Sequence, residues 1–213
     1  MSILFFITVF VQLLSCTDEE SSMRPAKEIV IYYSRAGENY FQGDYRNITK
    51  GNTQHVAEFI SKIRGADLFK VEEKEDAYPE RYDEATALAR KLKSSKSRPQ
   101  IISTPNIEQY QRIFIGHPIF YDDMPMHMFT LLEQLDFTGK EVYQFVTHEG
   151  SGFGSSTRSL RKLCSKASSF TAGYSVYGYE AADSEESVKR WLSTIPLTIN
   201  SSSQQETPSK KEL

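Results

Sequence analysis

Short apolar, β-branched runs alternate along this chain with stretches of helical period, and that alternation restricts its fold more than any other feature. The first run, 28–33, reads Glu-Ile-Val-Ile-Tyr-Tyr and lacks the polar face of a half-exposed strand, so it is expected to be covered on both sides. Residues 52–64 follow with Val56, Ala57, Phe59, Ile60 and Ile63 at helical spacing, and Asn52 or Thr53 suits the N-cap. Further strands are expected over 66–71, 111–116, 142–146 and 170–179. Helices are expected over 80–93, 126–135, 155–166 and 184–192, the first of these introduced by Pro79 in its opening turn. Single helices between strands mean right-handed crossovers, hence a mostly parallel sheet with helices on both faces.

Ligands of such sheets bind beyond the carboxyl ends of the strands, near the point where strand order reverses. The loops after the first, third and fourth strands therefore carry the candidate chemistry. After the first strand come Ser34, Arg35, Ala36 and Gly37, and then, just ahead of the first helix, Gly51, Asn52, Thr53 and Gln54. Hydroxyls, an amide, glycines and a helix N-terminus offer a phosphate several donors without a lysine, because free backbone N–H groups and the helix dipole supply the attraction. The third strand is followed by Gly116-His117-Pro118-Ile119-Phe120-Tyr121-Asp122-Asp123, and the fourth by Thr147-His148-Glu149-Gly150-Ser151-Gly152-Phe153-Gly154. Glycines in the latter let backbone N–H groups come close to a ligand. His148 and Glu149 have no placed partner, so no catalytic acid–base pair is assigned.

These three loops resemble the flavodoxin family, in the right order and over roughly 27–192. The first is similar to the family's phosphate loop, with two departures: Ala36 stands where a second hydroxyl is usual, and 38–50 is inserted between the halves of the motif. The second is similar to the segment beside the isoalloxazine, where Pro118, Ile119, Phe120, Tyr121 and Asp122 would meet the ring. The third corresponds to the loop that gives backbone donors to the pyrimidine end, with Phe153 at the ring edge. The resemblance implies a flavodoxin-like three-layer αβα sandwich, an α/β fold with a five-stranded parallel sheet in the order 2-1-3-4-5. It implies FMN as cofactor and electron transfer as function, with a redox protein or a small-molecule acceptor as partner. Asp122 and Asp123 beside the ring would lower the potential for the second electron. A flavin-dependent NAD(P)H:quinone-type oxidoreductase is the first alternative, with the 38–50 insertion and its Tyr40, Phe41 and Tyr45 as a lid or a dimer interface, and monomer and homodimer both stay open. A tethered binding module that kept the fold without flavin is the second.

Composition narrows the remaining classes. The chain has 213 residues, 39% hydrophobic and 25% charged, which suits one domain with a sizeable core, expected over 27–198. A net charge of −3 provides no broad basic surface for nucleic acid. Residues 1–16 are apolar up to Leu13-Leu14-Ser15-Cys16, too short for a membrane span. They resemble a bacterial signal peptide with a lipobox, so Cys16 is the expected lipid-bearing residue of an exported lipoprotein facing the periplasm or the cell exterior, in contact with the membrane through its anchor alone. No Lys or Arg precedes the apolar run, and ordinary cleavage, an uncleaved anchor or a wrongly assigned start stay open. Residues 17–26 read as a linker and 199–213 as a disordered polar tail. The only other cysteine, Cys164, lies in a helical pattern as a small buried hydrophobe, so no disulfide is expected. No metal-ligand spacing is present.

Overall fold

In the computed structural model, residues 23–200 are described, and the elements that place the functional loops fall close to their expected positions. Strands β1 (Met23–Pro25), β2 (Glu28–Tyr32), β3 (Gly37–Phe41) and β4 (Asp44–Ile48) precede helix α1 (Asn52–Arg64). Strand β5 (Asp67–Lys70), helix α2 (Tyr82–Ser94), strand β6 (Arg112–Pro118) and helix α3 (Met126–Leu132) follow. Strand β7 (Glu141–His148), helix α4 (Ser156–Leu163), strand β8 (Ser169–Tyr177), a 3-10 turn (Gly178–Asp183), helix α5 (Glu185–Leu192) and strand β9 (Thr198–Asn200) complete the order.

Five strands form one parallel sheet in the order β5-β2-β6-β7-β8, which is 2-1-3-4-5 when only these strands are counted. Alternation along a strand sends neighbouring side chains to opposite faces. Ile29, Ile31 and Tyr33 thus join a core with α2, α3 and α4, while Val30 and Tyr32 join another with α1 and α5. Both faces of β2 are covered, as its unbroken apolar run requires.

Three differences from the sequence reading have physical causes. The inserted segment 38–50 is a hairpin of β3 and β4, docked against the start of α2. Helix α2 begins at Tyr82, because its cap comes from outside the segment: the Glu38 carboxylate accepts the Tyr82 N–H at 2.9 Å, and Pro79 lies before the helix. The folded unit also overruns both expected limits, since β1 pairs antiparallel with β9, taking residues 23–25 from the linker and 199–200 from the tail. The expected signal segment 1–16 with Cys16, and the tail beyond 200, lie outside the described residues. Cys164 is buried in the core with α4, and burial pushes its thiol up to about 12. Among the described residues, no helix is long and apolar enough to cross a membrane, and no group of His, Cys, Asp and Glu side chains is placed to hold a metal.

At the amino ends of the strands, a buried ion-pair network bolts the sheet to the segment after α5. Glu28 receives both Arg64 and Arg112, Arg112 also reaches Glu141 at 2.8 Å, and the two arginines donate to the carbonyls of Ile195 and Pro196.

Candidate functional site

At the opposite edge, the carboxyl ends of β2, β6 and β7 open into a cavity of about 500 Å³. Its first wall is the β2–β3 turn and the start of α1. Gly51, the N-cap of α1, has no side chain to satisfy the helix, and Ser34 replaces it: its Oγ accepts the Gln54 N–H at 3.0 Å. Gln54 is thus committed, and the N–H groups of Asn52 and Thr53 have no partner among the described residues. Asn52 lines the cavity, as does Arg35. The Arg35 guanidinium donates to the carbonyls of Pro79 (2.9 Å), Glu80 (3.0 Å) and Glu38, and no carboxylate pairs with it among the described residues. Burial lowers its pKa from the usual arginine value. It remains a cation, since its ordinary value lies far above neutrality.

The second wall is the loop after β6. Phe120 and Asp123 close a tight turn through reciprocal backbone hydrogen bonds, Phe120 N to Asp123 O at 2.7 Å and Asp123 N to Phe120 O at 3.2 Å. Its two central residues, Tyr121 (φ 49°) and Asp122 (φ 69°), sit in the left-handed region, which disfavours non-glycine residues. The turn is held from outside: Ser155 donates its N–H and its Oγ to the Asp122 carbonyl, both at 2.6 Å, and Arg90 donates to the Tyr121 hydroxyl at 3.0 Å. Lys93 donates to the Tyr121 carbonyl. Gly154 (φ 51°) admits this docking, since a Cβ there would meet Asp122 O at 2.6 Å.

The third wall is the loop after β7. Thr147, His148, Glu149 and Ser151 line the cavity. His148 accepts the Gly150 N–H on Nδ1 at 2.9 Å and lies 4.7 Å from the Tyr177 ring; burial lowers its pKa, so it is neutral at pH 7. Glu149 extends toward the start of α1: a methyl on Gly178 would collide with both Glu149 Oε1 and Asn52 Nδ2. Although the residue is exposed to the open cavity, crowding of its carboxyl by protein pushes its pKa up to about 7, against a Gly178 N–H that favours the charged form.

Behind the second and third walls, His117 joins the two loops. Its Nδ1 lies 3.0 Å from Pro118 O and its Nε2 is 3.1 Å from Gln144 Nε2, which also donates to Ser156 Oγ at 2.8 Å. Thr157 donates to Gln144 Oε1 at 2.8 Å. Full burial pushes His117 down to about 4, so the ring is neutral, with Nδ1 donating and Nε2 accepting.

A sequence profile of the family described as Flavodoxin matches residues 45–195, more than half of the chain. The chain belongs to the flavodoxin family. Solved structures similar to it include a flavoprotein from Bacteroides eggerthii, at 25% identity and a TM-score of 0.58, covering 80% of this chain and 98% of that one. A flavoprotein from Bacteroides uniformis is similar at 22% identity and a TM-score of 0.58, covering 80% and 99%. A Lactobacillus acidophilus flavoprotein solved in complex with FMN is similar at 19% identity and a TM-score of 0.53, covering 78% and 98%. No curated protein matches the chain in sequence.

The fold brings ten of the residues singled out in the sequence to the cavity wall: Arg35 and Asn52, Pro118 through Tyr121, Thr147 through Glu149, and Ser151. The others stand behind it and shape it. Ser34 and Gly51 form the helix start, Gln54 is spent on Ser34, and Gly37 (φ 83°) passes under the Glu80 carbonyl. Ala36 is exposed outside the cavity, while Gly150, Gly152 and Phe153 form the outer part of the third loop. Two expected roles change. Thr53 is buried with its hydroxyl 2.7 Å from that of Thr147, so it links two walls and only its N–H is free. Asp123 is buried and structural, accepting Met124 N–H and Ser159 Oγ at 2.8 Å each, while Asp122 is exposed on the turn outside the lining.

Sequence reasoning reached the wall opposite the loops only through Tyr40, named as part of a lid or interface, and missed the rest of it. Asn39 and Tyr40 of the hairpin, Tyr82, Ala85, Thr86 and Ala89 of α2, and Gly178 also line the cavity. Ala85 and Ala89 fall on one helical face, but a small-residue stripe reads equally as packing. Only the docking of the hairpin turns it into a wall.

Proposed function

We propose that the cavity binds FMN and that the protein is an electron-transfer flavoprotein. One observation carries this reading: one cavity at the carboxyl edge of the sheet is lined both by cationic and N–H donor groups and by flat side chains. Free N–H groups of Asn52 and Thr53 and the uncompensated Arg35 charge suit a phosphate. Phe120, Tyr121, Tyr40 and Tyr82 suit a planar ring. The donor set and the cavity thus fit FMN, and the FMN complex of the Lactobacillus acidophilus flavoprotein supports the assignment.

When bound, FMN supplies one- or two-electron transfer. The chain's own contribution is positional. Arg35 and the start of α1 hold the phosphate by charge and N–H donors, the held turn at Tyr121 and Asp122 fixes the ring-side wall, and the His117 network sets the spacing between the two ring-side loops. The absorption spectrum of the purified full chain, with and without added FMN, tests the reading. A protein-shifted flavin spectrum is expected, and a spectrum equal to that of free FMN contradicts it.

A second reading, an NAD(P)H:quinone-type oxidoreductase, is favoured by the hairpin, which carries Asn39 and Tyr40 into the cavity wall where a substrate could lie. Steady-state NADPH oxidation with a quinone separates the two, because a carrier turns over only with an added reductase. The proposal extends to the N-terminus: Cys16 carries the lipid of an exported, membrane-tethered protein. Metabolic labelling with a radioactive fatty acid that persists in Cys16→Ala would contradict it.

A further inference from the structure

Glu149 places an acid where the FMN reading places a phosphate. Its carboxyl sits beside Asn52, the first residue of α1, and beside the Gly178 backbone, on the wall of the same cavity. Arg35 is the single Lys or Arg among the lining residues. A phosphate dianion and an ionised Glu149 together would set three negative charges against that one positive charge, in a space a ligand closes to water. Like charges repel far more strongly there than in bulk solvent.

We infer that Glu149 is the residue that decides which flavin this cavity prefers: it takes up one proton from solvent when a phosphate occupies the end it shares with Asn52, and it stays ionisable when the ligand carries no phosphate. The inference rests on the FMN reading and adds a specificity element to it. Once neutral, the carboxyl turns from a repelling anion into an O–H donor.

Other titratable groups on the elements around Glu149 do not supply the same dependence. Tyr82 from α2 has its hydroxyl pKa raised, chiefly by burial, and stays neutral well above pH 8. Arg35 from the β2–β3 turn stays charged. His148 on its own loop, which faces Glu180 of the 3-10 turn, is lowered by burial. His55 on α1, flanked by Lys50, Glu58 and Asp183, is lowered by burial as well. Both histidines are therefore neutral from pH 7 upward.

The test compares FMN with riboflavin, which differs by the phosphate alone, in fluorescence-quenching titrations of the full chain at pH 7.0 and 8.5. The phosphate's own second ionisation lies near pH 6, below this interval. One-proton linkage approaches a tenfold change in affinity per pH unit above the carboxyl's own pKa, so the FMN preference over riboflavin is expected to fall about fifteenfold over this interval of about 1.5 units. In Glu149→Gln, and independently in Glu149→Ala, the preference is expected to stay constant within about twofold, since no group titrates. A wild-type preference that does not change with pH, or one that falls equally in both variants, overturns the inference while leaving FMN binding intact. A chain that binds neither flavin at pH 7.0 overturns the FMN reading itself, and this inference with it.

Discussion

The two ends of one sheet treat charge in opposite ways. At the amino ends of the strands, Glu28, Arg64 and Arg112 are enclosed and paired with one another, Arg112 also with the half-buried Glu141, with spare arginine hydrogens on the carbonyls of Ile195 and Pro196. At the carboxyl ends, Arg35 has only carbonyl acceptors, Glu149 has no cation against it, and two N–H groups of α1 have no partner among the described residues. Satisfied charges hold a fold together, and those left half-satisfied around a cavity are available to a ligand. Within one domain, stability and binding are thus assigned to opposite edges of the same strands.

Removing Glu28 is the strongest way to break this contrast. Glu28→Ala strands two buried arginines and is expected to cost about 3–5 kcal/mol in chemical denaturation. Flavin affinity of the folded fraction should stay within about twofold. A large loss of affinity would show that the ends are coupled.

Acid comes next, and it acts on the other end. His117 is held at about 4 by burial, below its unfolded value of 6.5, so the unfolded chain binds more protons in that interval. Stability is therefore expected to fall as pH drops from 6.5 to 4, by up to roughly 3 kcal/mol. His117→Gln should flatten that part of the profile, as equilibrium denaturation at several pH values would show.

Two smaller effects sharpen the contrast. Gly178→Ala puts a methyl against Glu149 and Asn52 and is expected to weaken FMN binding about tenfold, or about 1.4 kcal/mol, with little change in the thermal midpoint. Asp122→Gly should do the reverse. Releasing one left-handed non-glycine residue is expected to stabilise the domain by about 1 kcal/mol, and a thermal melt that falls instead would show that the Asp122 side chain, not the turn geometry, holds the loop.

Much of this was legible in the sequence because local pattern and tertiary structure agree. The apolar run at 28–33 needs two covered faces, which fixes β2 inside a sheet, and the loops after β2 and β7 that the sequence singled out both reach the cavity wall. What stayed hidden depends on contacts between distant segments. Nothing local to Thr53 announces that its hydroxyl meets Thr147, and nothing local to Tyr82 announces that Glu38 caps its helix. Glu149 is the sharpest case. Its side chain could be placed only once Gly178, from the turn after β8, was seen to bring it beside Asn52.

Titration of the flavin-free full chain with FMN, followed by flavin fluorescence, tests the central claim most directly. Fluorescence is expected to be quenched up to one equivalent with a Kd at or below about 1 µM, equivalent to about 8 kcal/mol of binding free energy. Unquenched fluorescence, with FMN recovered free after gel filtration of a folded protein, would mean that the carboxyl-end cavity is not a flavin site.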